Sequence, residues 1–192
     1  MALLTARPRR GRAALALLAA IALTLPLAGP VPAHADAALE AAVKASYLVK
    51  FAPFVDWPAG AFSAPDAAFV LCIAGEDPFG QALDDAVRGQ KLLGRRIQLR
   101  RLAAPANAAG CHILFLGKTR GAQGGDFLRA VAGKPVLTVA DQDRGVSGAM
   151  IGFVLKDGRV RFVIDADQAE ASHLAISSKL LALALSVKRG AR

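Results

Sequence analysis

The sequence is poor in the residue types from which many catalytic and metal-binding sites are built. It has only two cysteines, three histidines, one tryptophan and one tyrosine among 192 residues. Because His34 lies in an N-terminal segment treated below, His112 and His173 are the only histidines in the rest of the chain. Neither has further ligands at a metal-binding spacing, so we predict no metal site. Cys111 and His112 are neighbours in a predicted strand, and their side chains should therefore point to opposite faces.

Complete catalytic or phosphate-binding motifs are also missing. Gly117-Lys118-Thr119 follows an apolar run like the end of a phosphate-binding loop, but His112 occupies the position of the first required glycine. Residues 145–149 resemble a nucleophile elbow around Ser147, yet a strand is predicted after them where that motif needs a helix. A hydrolase using Ser147 is therefore the weakest functional alternative. We predict no catalytic residue and no cofactor.

Charged residues are spread thinly along the chain. The arginines at 95–96 and 100–101 and the tail from Lys188 lack the interleaved aromatics typical of a nucleic-acid interface, so nucleic acid is not an expected partner. The acidic pairs Asp84/Asp85 and Asp141/Asp143 have no companion acid. For them we predict solvated positions on helices and loops.

The apolar run from Ala13 to about Ala28 is too short for a transmembrane helix, which needs roughly 20 residues. It is interrupted by Pro26, and four arginines precede it. Ala33-His34-Ala35 then gives the small-x-small pattern that a signal peptidase cuts. We therefore expect residues 1–35 to be a secretory signal peptide, cleaved near Ala35. Residues 36–192 should form a single soluble periplasmic domain with its own core, without membrane insertion.

The remaining pattern alternates helices and strands. An opening helix carries an apolar stripe through Leu39, Val43, Tyr47 and Phe51, with Phe54 and Val55 a turn later. Trp57-Pro58 should stop this helix, and Pro53 inside it should kink or end it near Phe51–Ala52. Further elements are predicted as buried strands at 69–74, 111–116 and 136–140, a half-exposed strand at 97–102, a hairpin over 150–164, and helices at 77–89, 126–132 and 167–187, the last with Ser177 and Ser178 as caps of a second helix. This order predicts an α/β fold: a three-layer sandwich with a mixed, mostly parallel central sheet and a C-terminal antiparallel hairpin.

Cys72 and Cys111 are the only cysteines, and both fall in predicted core strands. An even count in an oxidising compartment favours a disulfide between them. The alternative is two inert buried thiols. A redox-active pair is less favoured, because a Cys-x-x-Cys spacing is absent.

An aromatic series in the opening helix, Tyr47, Phe51, Phe54 and Trp57 before Pro58, resembles the YfiR-like family of periplasmic regulators. The likeness continues in order through the following segments: 72–80, 111–115, 136–139, 152–153, 161–164 and 176–184. It covers almost the whole chain after the predicted signal. The aromatic series itself has two interpretations, since rings at helical spacing usually belong to a core but can also form an exposed docking face.

The resemblance implies a regulator. YfiR-like proteins bind the periplasmic region of an inner-membrane diguanylate cyclase and repress it, which lowers cyclic di-GMP and limits biofilm formation. It further implies a homodimer and a link between cysteines and envelope redox state. The residues that bind the partner are unknown. The alternative function is a periplasmic sensor that binds a small molecule at the carboxyl ends of its strands.

Three positions depart from the family pattern. Pro53 lies inside the opening helix, Asp165 stands where an asparagine is common, and His173 stands where a glycine often separates the last two helical segments. The chain also lacks a second cysteine pair that some relatives have. It could therefore contain only one redox element.

Overall fold

A computed structural model describes residues 32–144 and 147–190. Within these ranges there are five α-helices and ten strands. The helices are α1 (Pro32–Phe51), α2 (Gln81–Val87), α3 (Gln123–Val131), α4 (Ala166–Ala171) and α5 (Ser178–Leu183). The strands are β1 (Val55–Asp56), β2 (Phe69–Ala74), β3 (Lys91–Leu92), β4 (Arg95–Leu102), β5 (Ile113–Leu116), β6 (Leu137–Asp141), β7 (Ile151–Lys156), β8 (Arg159–Asp165), β9 (Ala175–Ile176) and β10 (Ser186–Lys188). The predicted signal peptide, residues 1–35, falls almost entirely outside the described residues.

Eight of these strands form one mixed sheet in the order β10-β8-β7-β6-β5-β2-β4-β3. From β4 to β7 neighbouring strands are parallel. The hairpin β7–β8 and the pair β3–β4 are antiparallel, and β10 runs parallel to β8. A separate two-stranded antiparallel sheet joins β1 to β9. The predicted α/β class, with its mostly parallel central sheet and its hairpin, is confirmed.

The strand pleat sends alternate side chains of β2 into two different cores. Phe69, Leu71 and Ile73 belong to a large cluster that includes buried residues of α1, α2, α4 and α5. Cys72 and Ala74 belong to a second cluster with buried residues of α3. Helices therefore cover both faces of the sheet, which makes the predicted third layer.

The aromatic series at the end of α1 packs into the larger core. Phe51 is buried, and its ring lies 5.2 Å from that of Phe162 and 5.8 Å from that of Tyr47. Trp57 packs edge-on against Phe69 at 5.4 Å. Phe51 therefore belongs to the core, and the partly buried Tyr47, Phe54 and Trp57 pack against it. Helix α1 ends at Phe51, near Pro53, and not at the expected stop Trp57-Pro58; a short 3-10 helix follows it.

The turn between β7 and β8 is formed by Asp157 and Gly158, with φ of 52° and 69°. Two left-handed residues in a two-residue loop match the twist of the flanking strands, and glycine adopts this conformation without steric cost. The hairpin predicted around residues 156–158 is confirmed.

Two predicted helices differ from the structure. Asp77 does not cap α2, which begins at Gln81; its Oδ1 instead accepts hydrogen bonds from the N–H groups of Phe79 and Gly80. The helix predicted over 167–187 is broken, because β9 pairs with β1 and β10 pairs with β8. Ser177 does cap α5, with its side chain accepting from the Leu180 N–H.

Candidate functional site

Cys72 and Cys111 are bonded to each other, with Cα atoms 5.9 Å apart. Cys72 lies on the interior strand β2, and Cys111 lies two residues before β5. The bond therefore fastens the entry of β5 to the middle of its neighbour. Both sulfur atoms lie in the smaller core, since the two residues are nearly inaccessible to solvent. The structure thus pairs the cysteines as the sequence analysis expects.

His112 faces the opposite side of the sheet from Cys111, as the strand alternation predicts. Its Nδ1 accepts from the Val70 N–H at 2.9 Å, and its Nε2 lies 3.1 Å from the carbonyl oxygen of Ala61. These two partners require a neutral ring with its proton on Nε2, because Nδ1 must accept while Nε2 donates. The ring stacks on Phe62 at 4.4 Å. His112 therefore holds the loop before β2 against the sheet.

The pKa of His112 is lowered from its ordinary value of 6.5. Burial is the main cause, because the protonated ring loses its hydration, and the positive charge of Arg95 lowers the pKa further. Phe62 lies on the loop that His112 holds, and the Arg95 guanidinium lies 4.0 Å from the centre of the Phe62 ring. His112 is thus a structural histidine whose hydrogen bonds are satisfied.

Lys44 and Asp141 form a buried ion pair. The Lys44 ammonium lies 2.6 Å from Asp141 Oδ2 and also contacts Glu40, one helical turn earlier on α1. The prediction that Asp141 is solvated was wrong, because its side chain is fully buried at the carboxyl end of β6. The free-energy cost of burying two opposite charges is smaller when they are in contact, because their attraction offsets part of the lost hydration. The pair connects α1 to the carboxyl-terminal end of β6.

A polar cavity of about 300 Å³ lies beside this ion pair. Its lining comes from α1, from the segment after β2 and from the end of β6, and it includes five ionisable side chains: Glu40, Lys44, Glu76, Asp77 and Asp141. The carboxyl ends of parallel strands form the edge at which open α/β sheets bind ligands. The cavity therefore lies where the sensor alternative places a small molecule.

The loops after β2 and β5 close directly on each other at this edge. The Glu76 N–H donates to the Lys118 carbonyl at 2.9 Å. A Cβ atom on Gly117 would lie 1.8 Å from the Glu76 carbonyl oxygen, so only glycine fits there. Gly117 is therefore needed because the backbones of the two loops approach each other closely. This packing role explains the glycine without a phosphate-binding loop. The cavity opens instead between these loops and α1.

Arg101 fixes the far rim of the cavity. Its guanidinium donates to Asp77 at 2.7 Å and to Asp84 at 2.7 Å. The bond from Arg101 lowers the pKa of Asp84, and the two carboxylates raise the pKa of Arg101. Because the guanidinium is about half exposed, this network positions the segment before α2 but contributes little stability.

A second, larger cavity is an open groove of about 860 Å³ on the face of the sheet that α1 covers. One wall is α1, the other is the hairpin β7–β8, and Leu183 at the end of α5 closes a third side. The residues that line it are Asp36, Leu39, Glu40, Val43, Tyr47, Leu155, Gly158, Arg159, Val160, Arg161, Phe162 and Leu183. We call it the apolar groove.

Exposed apolar side chains concentrate at the apolar groove. Leu39, Leu155 and Leu183 line it with exposed fractions of 65%, 50% and 60%. Leu185 and Val187 are also exposed, and they follow Leu183 along the chain into β10. Side chains of this size clustered at one place mark an interaction surface. The sequence alone does not reveal this surface, because Leu39 belongs to the same apolar stripe as the buried Phe51.

The remaining candidate residues do not come together in a reactive arrangement. Ser147 is exposed and follows the undescribed residues 145–146, and His173 is exposed at the end of α4. Within 32–144 and 147–190, no group of three or more His, Cys, Asp or Glu side chains could hold a metal ion. No helix in the same ranges has the length and hydropathy needed to cross a bilayer.

Comparison with known proteins gives a family match and a distant structural likeness. A solved structure described as a conserved domain protein from Vibrio cholerae O1 biovar El Tor strain N16961 aligns with a TM-score of 0.47 at 10% identity. The alignment covers 77% of this chain and 60% of that one. No curated protein matches the chain. The family model DUF4154, described as YfiR/HmsC-like, matches residues 41–185. The chain therefore belongs to the YfiR/HmsC-like family.

Proposed function

We propose that this protein is a periplasmic repressor that binds the extracytoplasmic region of an inner-membrane diguanylate cyclase. Membership of the YfiR/HmsC-like family supports a role in the regulation of diguanylate cyclase signalling. The observation that carries the proposal in this chain is the apolar groove, with three leucines at least half exposed. Such a surface fits an interaction protein better than an enzyme, and it gives the regulator a place to bind its partner.

Repression by binding needs no chemistry. A protein that binds the inactive state of the cyclase more tightly than the active state shifts the equilibrium towards the inactive state. A hundredfold shift needs a difference in binding free energy of about 2.7 kcal/mol. A few apolar anchors that become buried on binding are sufficient for a difference of this size.

The proposal requires export. We expect the signal peptide to be removed near Ala35 and the mature chain to begin at Asp36, in the compartment that holds the cyclase's periplasmic region. Asp36 lies on α1 at the rim of the apolar groove. The mature protein would then act as a soluble partner of a membrane enzyme, with a homodimer as its expected state.

The test compares cells with and without the gene in two backgrounds, one that keeps the cyclase and one that lacks it. Deletion should raise cyclic di-GMP only where the cyclase is present. The full chain should restore the low level, and a version lacking residues 1–35 should not, because it stays in the cytoplasm. Unchanged cyclic di-GMP in the deletion, with an expressed and competent cyclase, would contradict the proposal.

A further comparison separates repression from hydrolysis. Ser147→Ala and His173→Ala should repress as well as the unchanged protein, because exposed Ser147 precedes the strand β7 and does not lie on the strand-to-helix elbow of a hydrolase nucleophile. Loss of repression in a folded Ser147→Ala protein would favour the hydrolase instead.

The polar cavity favours a second candidate function, a sensor for a small cationic molecule. Glu76 is exposed at its mouth, and Asp77 and Glu40 add negative charge. Native mass spectrometry of protein purified from the periplasm should then show a retained small molecule. Glu76→Gln should release it, whereas Asp85→Asn, on the exposed face of α2, should not. A spectrum of bare protein in every case would contradict the sensor function.

A further inference from the structure

The helical layer over the sheet has a gap at the tip of the hairpin β7–β8. Leu155 and Val160 are cross-strand partners near that tip. Phe162 on the same face of β8 is covered by Tyr47 of α1, with ring centres 5.7 Å apart. Leu155, by contrast, is half exposed. The sheet face is therefore covered beside Phe162 and open beside Leu155.

The side walls of the gap are themselves helical and apolar. Asp36, Leu39, Val43 and Tyr47 follow one another at three- or four-residue steps and face the groove from α1. At 1.5 Å per residue this wall is roughly 16 Å long, or about three helical turns. Leu183 faces the groove from the end of α5. The gap is therefore long enough and apolar enough to accommodate one more short helix.

An α-helix pairs its backbone N–H and C=O groups with each other, so it can lie on this surface without unpaired polar groups. The floor of the apolar groove consists of side chains on the face of a sheet, and a segment lying on it must pair its N–H and C=O groups internally. Helices already cover this face of the sheet elsewhere in the fold. A helix inserted beside α1 would continue that layer.

Charges at the rim restrict the partner further. Exposed Asp36 stands on the wall formed by α1, while exposed Arg159 and Arg161 border the groove along the edge of β8. A helix with an apolar face would place one flank near the aspartate and the other near the arginines. Complementary pairing thus needs a basic residue on one flank and acidic residues on the other.

We propose that the apolar groove binds an amphipathic helix of about three turns from the periplasmic region of the cyclase, with its acidic flank along Arg159 and Arg161. The inference rests on the proposed function and names the element of the partner that this surface receives. Recognition is of the helix-in-groove kind, with apolar anchors at i, i+3 or i+4, and i+7.

The test measures binding of the purified mature protein to the purified periplasmic region of the cyclase. Leu183→Asp and Leu39→Asp should each weaken binding by about tenfold or more, since each removes an apolar anchor from the interface. Both leucines are exposed, so the variants should keep the fold, as checked by thermal unfolding. Leu93→Asp is the matched control: Leu93 is 46% exposed, lies between β3 and β4 outside the groove, and should leave binding within twofold.

Charge reversal tests the orientation of the helix. Arg159→Glu combined with Arg161→Glu should weaken binding and reduce its dependence on salt, because exposed charge pairs are screened. Lys134→Glu, on an exposed residue after α3, is the control. Equal binding by the double variant and the unchanged protein would overturn the proposed orientation.

Photo-crosslinking identifies the occupant even if a variant fails to fold. A benzophenone side chain at Leu155 should crosslink to a cyclase segment with apolar residues at helical spacing, whereas the same group at Leu93 should not. Crosslinks from Leu155 to a cyclase segment with strand alternation, or to a second copy of this chain, would each overturn the inference. If the unchanged protein does not bind the cyclase at all, the proposed function itself fails, and the two results are thus distinguishable.

Discussion

Lys44 and Asp141 are 97 residues apart in sequence, yet the ammonium of one lies 2.6 Å from a carboxylate oxygen of the other in the interior of the protein. The contact joins the opening helix to the carboxyl end of β6, between the polar cavity and the core. Phe153 lies below it, with its ring centre 6.0 Å from the ammonium. Helix α1, which also forms one wall of the apolar groove, is thereby fixed to the sheet.

Lys44→Met should lower the free energy of unfolding by about 3 kcal/mol or more, because the variant removes the ammonium group that faces the buried Asp141 carboxylate. Combining it with Asp141→Asn should cost less than the sum of the single changes. Urea unfolding of all four proteins at neutral pH gives the coupling energy. Arg88→Ala, which breaks an exposed pair with Asp85, should cost under about 1 kcal/mol. Additive single effects would show that the ion pair is not coupled.

The stability of the protein should fall as the pH drops below about 6.5, partly through His112. Its folded-state pKa is lowered, so below the ordinary value of 6.5 the unfolded chain binds a proton that the folded chain excludes. The stabilisation from His112 is therefore complete above that pH and is lost on acidification. Protonation would also remove the acceptor that Nδ1 offers to the Val70 N–H.

His112→Phe, compared with the unchanged protein by urea unfolding at about pH 8 and about pH 5, should be less stable at the higher pH and less sensitive to acidification. His173→Asn is the control for replacing a histidine outside the loop that His112 holds, since His173 is exposed at the end of α4. An identical pH dependence in His112→Phe and the unchanged protein would contradict this role.

Reduction of the disulfide should lower the melting temperature. On the chain-entropy model, a closed loop of about 40 residues between Cys72 and Cys111 contributes up to roughly 4 kcal/mol. A non-reduced digest of protein from the periplasm should contain the two peptides linked, as detected by mass spectrometry. Two alkylatable thiols in that sample would show that the bond does not form in the cell.

His173→Gly should stabilise the protein by about 0.5–1 kcal/mol. His173 has φ of 60° at the end of α4, and left-handed backbone costs a side-chain-bearing residue roughly 1–2 kcal/mol. Part of this gain is offset by the greater freedom of glycine in the unfolded chain. The N–H groups of His173 and Leu174 bond back to Glu170 and Ala169, the pattern of a helix end that favours glycine.

The midpoint of urea unfolding measures the effect. His173→Val is the opposite control, since a branched side chain is poorly tolerated at positive φ and should destabilise the protein. A lower midpoint for His173→Gly than for the unchanged protein would contradict the backbone explanation.

Much of the fold could be predicted because its signals are local. Strands β2, β5 and β6 read as short apolar runs since both of their faces are buried, and the turn at 156–158 is marked by its residue types. Pro53 marks the end of α1 by its own covalent structure. The pairing of the two cysteines was favoured by their even count together with the oxidising compartment expected from the signal peptide.

The C-terminal segment could not be predicted from local signals. Its apolar spacing is typical of a helix, yet residues 175–176 and 186–188 become strands because distant strands offer hydrogen-bond partners. Helix propensity is a weak preference, and tertiary pairing overrides it. The cap at Ser177, which depends on one side chain and a backbone N–H three residues later, was predictable.

By itself the sequence determined the α/β order, the hairpin, the cysteine pair and the family, since each depends on residues close together or on simple counts. Only the tertiary structure decided that Asp141 is buried against Lys44, that His112 holds a neighbouring loop, and that Leu39 continues an apolar stripe outside the core. The physical reason is the same for all three residues. The free energy of an ionisable or apolar side chain depends on which atoms replace its water, and in a folded chain those atoms come from residues far away in sequence.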